Sequence, residues 1–185
     1  MAGSIENRLS ELGIELPKVA KPLANYLPFV VTGNLVFVSG QLPMWDGELM
    51  LTGKLGDNIQ LTDGQTAARY CGLNLSPRLK KLAMVTSDRV TAAIKLGGFV
   101  NSTADFTEQA KVINGASELM FEIFENKGKH ARSAVSCPSL PLGSSVEIDG
   151  VFEFNKRLVI GEFKGSELIT CFKLDGNIIE ILENI

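Results

Sequence analysis

Histidine is the scarcest of the chemically versatile residues in this chain: His130 stands alone among 185 residues. A multi-histidine metal centre is therefore excluded, and a serine or cysteine triad has little to be built from. Cysteine is almost as rare. Cys71, Cys137 and Cys171 are widely and irregularly spaced with no Cys-x-x-Cys, which fits a reducing compartment better than a disulfide framework or a zinc site. Long apolar runs are missing too. No segment approaches a membrane span, and the opening MAGSIENRLSELGIEL lacks the apolar stretch of a secretory signal, so a cytoplasmic protein is expected. Excess basic charge is also absent. Lys and Arg number 18 against 21 Asp and Glu, and the net charge of -3 argues against a dedicated nucleic-acid binder. The densest basic run, Arg78, Lys80 and Lys81, and the looser Lys127, Lys129 and Arg132 read as solvated faces or small-anion contacts. Neither KLGGF (95–99) nor VTGNL (31–35) matches a dinucleotide fingerprint or a P-loop.

What is present is enough for one domain with a core, since 45% of the residues are hydrophobic. Ser4, Ile5, Leu9 and Leu12 predict a short amphipathic helix capped by Ser4 and closed at Gly13. Residues 16–26, with Pro17 and Pro22, read as irregular. Phe29–Val31 and Leu35–Val38, separated by Thr32-Gly33-Asn34, predict a hairpin, and residues 42–60 a loop with at most a short strand. Thr62 and Gln65 have the spacing of a capping box, and Ala67, Ala68, Cys71, Leu75, Leu79 and Leu82 carry a helix over 63–83 that Pro77 should kink or break.

Arg89–Val100 reads as a strand in which Gly97-Gly98 marks a bulge or a close backbone approach. Asp105 and Glu108 open a second long helix with apolar positions Val112, Ile113, Ala116, Leu119, Met120, Ile123 and Phe124, and Gly128 lies past its end. Ser133–Cys137 and Val146–Phe154 complete the pattern. In the latter, Val146, Ile148, Phe152 and Phe154 alternate with Glu147, Asp149 and Glu153. This element order implies an α+β fold, with two long helices packed on one face of a mixed β-sheet.

With the common catalytic sets excluded, an arginine and a carboxylate remain. Arg132 begins one strand and Glu147 sits on the polar face of the next. If those strands are neighbours, both groups can meet at one end of the sheet. A fixed guanidinium suits a substrate carboxylate, and a partly buried glutamate can relay protons to a water or an amine. The competing reading is a structural Arg–Glu pair across strands. His130 is expected to be structural or peripheral.

The segments VVTGNLVFVSGQLP, KLGGFV, QAKVINGASELMFEIF and GKHARSAV…SLPLGSSVEIDGVFEF resemble the RidA/YjgF family, from about Tyr26 to Phe154. The most specific parts are Ser39–Gln41, Ala131–Ser133 and the stretch containing Glu147. The longer N-terminal helix is closest to the branch of the family that carries such an extension. The resemblance implies a chorismate-mutase-like fold and a homotrimer with clefts between subunits. It also implies a division into an N-terminal helical extension (1–25), the RidA/YjgF-like domain (26–154) and an atypical C-terminal tail (155–185). It puts Arg132 where the family clamps a substrate carboxylate, and Glu147 where an acid places or activates the attacking water. Tyr26 matches an aromatic that lines the cleft from the neighbouring subunit, Ser39 a hydroxyl beside the substrate, and Asn114 a polar helix position in the same pocket. Ala134 replaces the family's usual cysteine, at a position whose backbone carbonyl counts for more than the thiol. Departures from the pattern are Pro77 in the first long helix, Gly150 in the last strand, and Met44-Trp45-Asp46 after Gln41-Leu42-Pro43.

The chemistry so implied is hydrolytic deamination of reactive 2-imino acids, or their enamine tautomers, to 2-keto acids and ammonia, with no cofactor. The alternatives are a non-catalytic trimer binding a small molecule or protein and, more weakly, an endoribonuclease or translation inhibitor. The tail holds three candidate strands, Leu158–Ile160, Leu168–Phe172 and Ile178–Leu182, with Asp175-Gly176 as a turn signal. It is expected to be peripheral, the competing reading being that it extends the sheet edge or covers a cleft.

Overall fold

A computed structural model describes residues 4–18, 26–83, 89–155, 160–164, 167–174 and 177–181. The chain starts with helix α1 (Ser4–Glu11), which ends before Gly13 at a positive φ of 63°. Leu9 is buried in the core, so the helix is tied down by its apolar stripe. Of the irregular stretch predicted over 16–26, residues 19–25, with Pro22, lie outside the described part.

Strands β1 (Phe29–Thr32) and β2 (Leu35–Gln41) form the predicted hairpin, with Thr32 opposite Leu35 and Gly33 at φ 59° in the two-residue turn. Two minimal strands, β3 (Met44–Trp45) and β4 (Glu48–Leu49), make a second hairpin within the expected loop. Trp45 packs edge-on against Tyr70, and the Met44 carbonyl accepts a bond from Asn74.

Helix α2 (Leu61–Ala83) runs unbroken through Pro77, where a kink or break was expected. The predicted capping box is also absent. The helix starts two residues earlier, with the Gly64 N–H donating to the Gln60 carbonyl. Gln65 therefore faces outward and donates to the Lys111 carbonyl of the next helix instead of bonding back to Thr62. The side chains of Arg78, Lys80 and Lys81 lie outside the described part.

Strand β5 (Val90–Asn101) is followed by helix α3 (Gln109–Phe124) and strand β6 (Ala131–Cys137). All seven apolar positions read from the 3.6-residue period of α3 are buried. Because β5 and β6 are parallel, the chain between them must cross over, and α3 is that crossover. Strand β7 (Val146–Phe154) then returns on the other side of β5, giving a five-stranded mixed sheet in the order β1-β2-β7-β5-β6. Helices α2 and α3 cover one face of it. Residues 155–185 supply β8 (Ile160–Lys164), β9 (Glu167–Leu174) and β10 (Asn177–Ile181), which form a separate antiparallel sheet and extend neither edge of the main one. The predicted turn at Asp175-Gly176 lies outside the described residues.

Register decides which side chains share a face. Leu96, Arg132 and Gly150 are partners across β5, β6 and β7, as are Phe99, Val135 and Glu147. Paired residues project to the same side, and their faces alternate along each strand. Leu96 is fully buried beneath the helices, so Arg132 lies on the helical face. Glu147, three pairings further along β5, lies on the bare face. Gly97-Gly98 is a close approach and not a bulge. A Cβ at Gly98 would stand 2.6 Å from Ile113 of α3, whereas the register shifts of β5 fall between Val90 and Lys95. The space left by Gly150 is filled by the Phe152 ring and Leu96.

Candidate functional site

The two groups that the sequence pairs are not neighbours. Strand β5 lies between β6 and β7, and Arg132 and Glu147 point to opposite faces of the sheet, so a single chain does not bring them together. The reason is the crossover: α3 makes β6 a parallel edge strand, and the antiparallel partner of β5 comes from the segment after the loop 138–145.

On the helical side, at the start of β6, lies a cleft of about 700 Å³ whose lining includes Asn114, Ser117, His130 and Arg132. One nitrogen of the Arg132 guanidinium, Nη1, donates to Asn114 Oδ1 at 2.9 Å and to Ser117 Oγ at 3.0 Å. Asn114 and Ser117 are three residues apart on α3 and so stand on one face of the helix. Those two bonds use both protons of Nη1. The other three donors of the guanidinium, on Nη2 and Nε, have the planar fork that fits two carboxylate oxygens. Lys129 adds a second cation, its ammonium 5.7 Å from the centre of the Phe121 ring. Lys129 and Arg132, two of the three residues of the loose basic cluster read from the sequence, thus line one cleft.

His130 was expected to be structural or peripheral, yet it lines the same cleft. Its Nδ1 is 2.6 Å from the Gly128 carbonyl and its Nε2 is 3.0 Å from Ser117 Oγ. Burial, joined by the positive charge of Arg132, lowers its pKa below the ordinary imidazole value, against the opposing effect of the Gly128 carbonyl. Ser117 carried no sequence signal. It is an ordinary polar residue on an amphipathic helix, and only the fold sets it between His130 and Arg132.

The bare face holds a second cluster. Glu147 is half-buried, and burial, reinforced by Asp149, raises its carboxyl pKa. Gly40 sits directly beneath it, where a Cβ would fall 1.9 Å from Glu147 Oε1, so a bare backbone is needed there. Ser39 precedes Gly40 in the irregular end of β2, between the pairings of Val38 and Gln41, and donates from Oγ to the Leu27 carbonyl at 2.7 Å. Tyr26, ahead of β1, is 51% exposed. Ala134 pairs with Gly98 on the helical face and packs partly against the core. Of the six predicted site residues, Arg132 and Asn114 are in contact with each other, and Ala134 shares their face. Ser39 and Glu147 mark the other half.

The bare face carries Val30, Phe37 and Val135, each 45–52% exposed, together with the acids Glu147, Asp149 and Glu153. Among the described residues no group of His, Cys, Asp and Glu is arranged to hold a metal, and no helix is long and apolar enough to cross a membrane.

A family model described as "YjgF/chorismate_mutase-like, putative endoribonuclease" matches residues 6–154. The chain is 44% identical over 155 residues to the Trypanosoma cruzi protein TCP17, which covers 83% of this chain and 96% of that protein. Among solved structures it is similar to the Agrobacterium tumefaciens protein Atu1372, at 44% identity and a TM-score of 0.77, covering 82% of this chain and 92% of that one. It is also similar to a Shewanella oneidensis protein described as a putative endoribonuclease, at 34% identity and a TM-score of 0.78, covering 82% of this chain and 100% of that one.

Proposed function

Since the chain belongs to the YjgF/chorismate mutase-like family, we propose that it hydrolyses reactive 2-imino acids and their enamine tautomers to 2-keto acids and ammonia. The observation that carries this reading is the Arg132 guanidinium, held at one nitrogen by Asn114 and Ser117 with a donor fork left over for a ligand carboxylate.

The imine carbon is already electrophilic, so the protein has to hold the carboxylate and deliver one water. Water adds to the C=N carbon and gives a carbinolamine. A proton moves from the added oxygen to nitrogen, the C–N bond breaks, and ammonia leaves as C=O forms. Glu147 is the group suited to carry that proton, because its raised pKa brings it closer to the working pH of a general acid–base.

Arg132 and Glu147 lie on opposite faces of one sheet, so the reaction needs two copies of the chain: the Arg132 cleft of one protomer meets the Glu147, Ser39 and Tyr26 side of the next. The apolar bare face supports such an assembly, and a closed homotrimer with three clefts satisfies it. Ala134, two residues beyond Arg132 on β6, is the position whose backbone carbonyl would join that half of the site. Glu118 and Glu122, which also line the cleft, would repel a phosphodiester and count against cleavage of RNA there.

The test is keto-acid release from freshly generated 2-imino acids, wild type against Arg132→Ala. Loss of the clamp is expected to remove about 2–4 kcal/mol of transition-state stabilisation. A folded wild type with no activity would refute the enzymatic reading in favour of a binding protein.

A further inference from the structure

Resting on the reading of Arg132 as an anion clamp, we propose that Ser117 and His130 are its positioning residues: a hydroxyl–imidazole relay that orients the guanidinium and ties the affinity for a carboxylate to protonation of the one histidine in the chain.

The hydrogen-bond directions in this relay are forced from its two ends. The Gly128 carbonyl can only accept, so His130 Nδ1 carries a proton and donates it across 2.6 Å. In the neutral ring Nε2 is then the acceptor, and Ser117 donates its hydroxyl proton across 3.0 Å. That leaves the lone pairs of Ser117 Oγ to receive Arg132 Nη1–H, which is always a donor because arginine keeps its proton. The relay therefore has one arrangement while the ring is neutral, and Asn114 closes it from the other proton of Nη1.

Protonation of the ring reverses the middle bond. Nε2–H becomes a donor, and Ser117 then accepts from His130 and from Arg132 together. Its own hydroxyl proton is released and can be offered to an anion in the cleft. A second positive charge now lies one hydroxyl away from the guanidinium. Each change favours a bound carboxylate, and by reciprocity a bound carboxylate favours the protonated ring.

The charges facing the imidazole bear on this coupling. From β6 comes Arg132, and from the preceding turn Lys129, both cations. From α3 come Glu118 and Glu122. Glu122 is already engaged: its carboxylate takes Arg69 of α2 at 2.7 Å, and its carbonyl takes Arg8 of α1 at 3.1 Å. Among the described residues lining the cleft, Glu118 is the other carboxylate, and an arriving carboxylate adds a counter-charge beside the imidazolium. Burial and Arg132 lower the pKa of the ring, so the cleft by itself favours the neutral form.

Because His130 is the only histidine, every imidazole resonance of the full chain reports on it. The experiment is a pH titration of that resonance with and without saturating pyruvate, the simplest stable 2-keto acid, paired with pyruvate affinities for the wild type, Ser117→Ala, His130→Gln and Arg132→Ala. Pyruvate is expected to raise the His130 pKa by about half a pH unit, with binding about threefold tighter in acid than in base. His130→Gln keeps an acceptor for the Ser117 hydroxyl and should bind pyruvate with no such pH dependence. Ser117→Ala should weaken binding about tenfold and uncouple the ring from the ligand.

Pyruvate that binds the wild type without moving the His130 pKa, or a His130→Gln protein that keeps the pH dependence, would overturn the relay while leaving the clamp in place. Equal binding by Arg132→Ala, or no binding by the wild type, would overturn the clamp and the relay with it.

Discussion

The two faces of the main sheet solve different problems. On the helical face, Leu96, Val100, Ile148 and Phe152 are sealed beneath α2 and α3, and at the start of β6 Arg132 reaches the polar surface of α3. On the bare face, Val30, Phe37 and Val135 remain half exposed around three acids, Glu147, Asp149 and Glu153. The first face is complete within one chain. The second is not: an apolar surface of that kind is normally covered by something. That difference is why Arg132 finds Asn114 and Ser117 within one chain, while Glu147 stands on the uncovered side.

The largest expected effect comes from breaking the bare face. Phe37→Asp should reduce the assembly to a protomer of 20.0 kDa, measured by light scattering, and abolish deamination while leaving the circular-dichroism spectrum unchanged. A monomeric wild type would sink the shared-site reading outright. Next in size, Glu147→Gln should lower the rate by about 10²–10⁴-fold, the usual weight of a general acid–base. Mixing makes this sharper. Arg132→Ala and Glu147→Gln chains, each inactive alone, should regain about a quarter of wild-type activity when reassembled in equal amounts, because a site needs one intact half from each of two neighbours. No recovery on mixing would sink the shared-site reading, since one chain holds the two groups on opposite faces of its sheet.

A smaller effect separates the faces within a single strand. Gly97 and Gly98 are adjacent, and a methyl group added to each would point to opposite sides. At Gly98 it would press into Ile113 in the packed core, so Gly98→Ala should cost about 1–3 kcal/mol in denaturant unfolding. At Gly97 its nearest contact would be the carboxylate end of Asp149, with Oδ1 2.3 Å away, a half-buried side chain that can give way by letting go of its bond to the Gly97 N–H. Gly97→Ala should cost less than about 1 kcal/mol, chiefly through the lost bond from the Gly97 N–H to Asp149. Equal costs at the two sites would mean that the bare face is packed as tightly as the core.

Much of this division was legible before the fold was known. The period of two in VEIDGVFEF assigned Glu147 and Asp149 to one face and Ile148 and Phe152 to the other, and the period of 3.6 in α3 named its buried residues. Both patterns are local, so one element suffices to read them. Strand adjacency is not local. Nothing within β6 or β7 says that β5 comes between them; that follows from the parallel crossover. Nor did spacing reveal the relay, since Ser117 and His130 meet only because α3 ends in a turn that brings the Gly128 carbonyl under the imidazole. The capping box failed for a related reason. Thr62 and Gln65 have the right spacing, but α2 begins two residues earlier, and Gln65 finds an acceptor on α3 instead.

The smallest effect is a pair of opposed pH slopes in stability, one from each face. Burial is the leading cause of both shifts, and it penalises the charged form of each group. For Glu147 the folded pKa is raised, so its favourable contribution is full below the unfolded value and is lost as the pH rises through the folded one. For His130 the folded pKa is lowered, so stability is full above the unfolded value and declines as the pH falls through that window. Glu147→Gln should therefore be more stable than wild type near neutrality, the gain vanishing in acid. His130→Gln should hold its melting temperature better than wild type between about pH 7 and about pH 5. Thermal melts across that range decide it. A Glu147→Gln protein less stable than wild type at neutral pH would mean that the carboxylate is solvated or paired in the assembly, and that the bare face is not the dry half of a shared site.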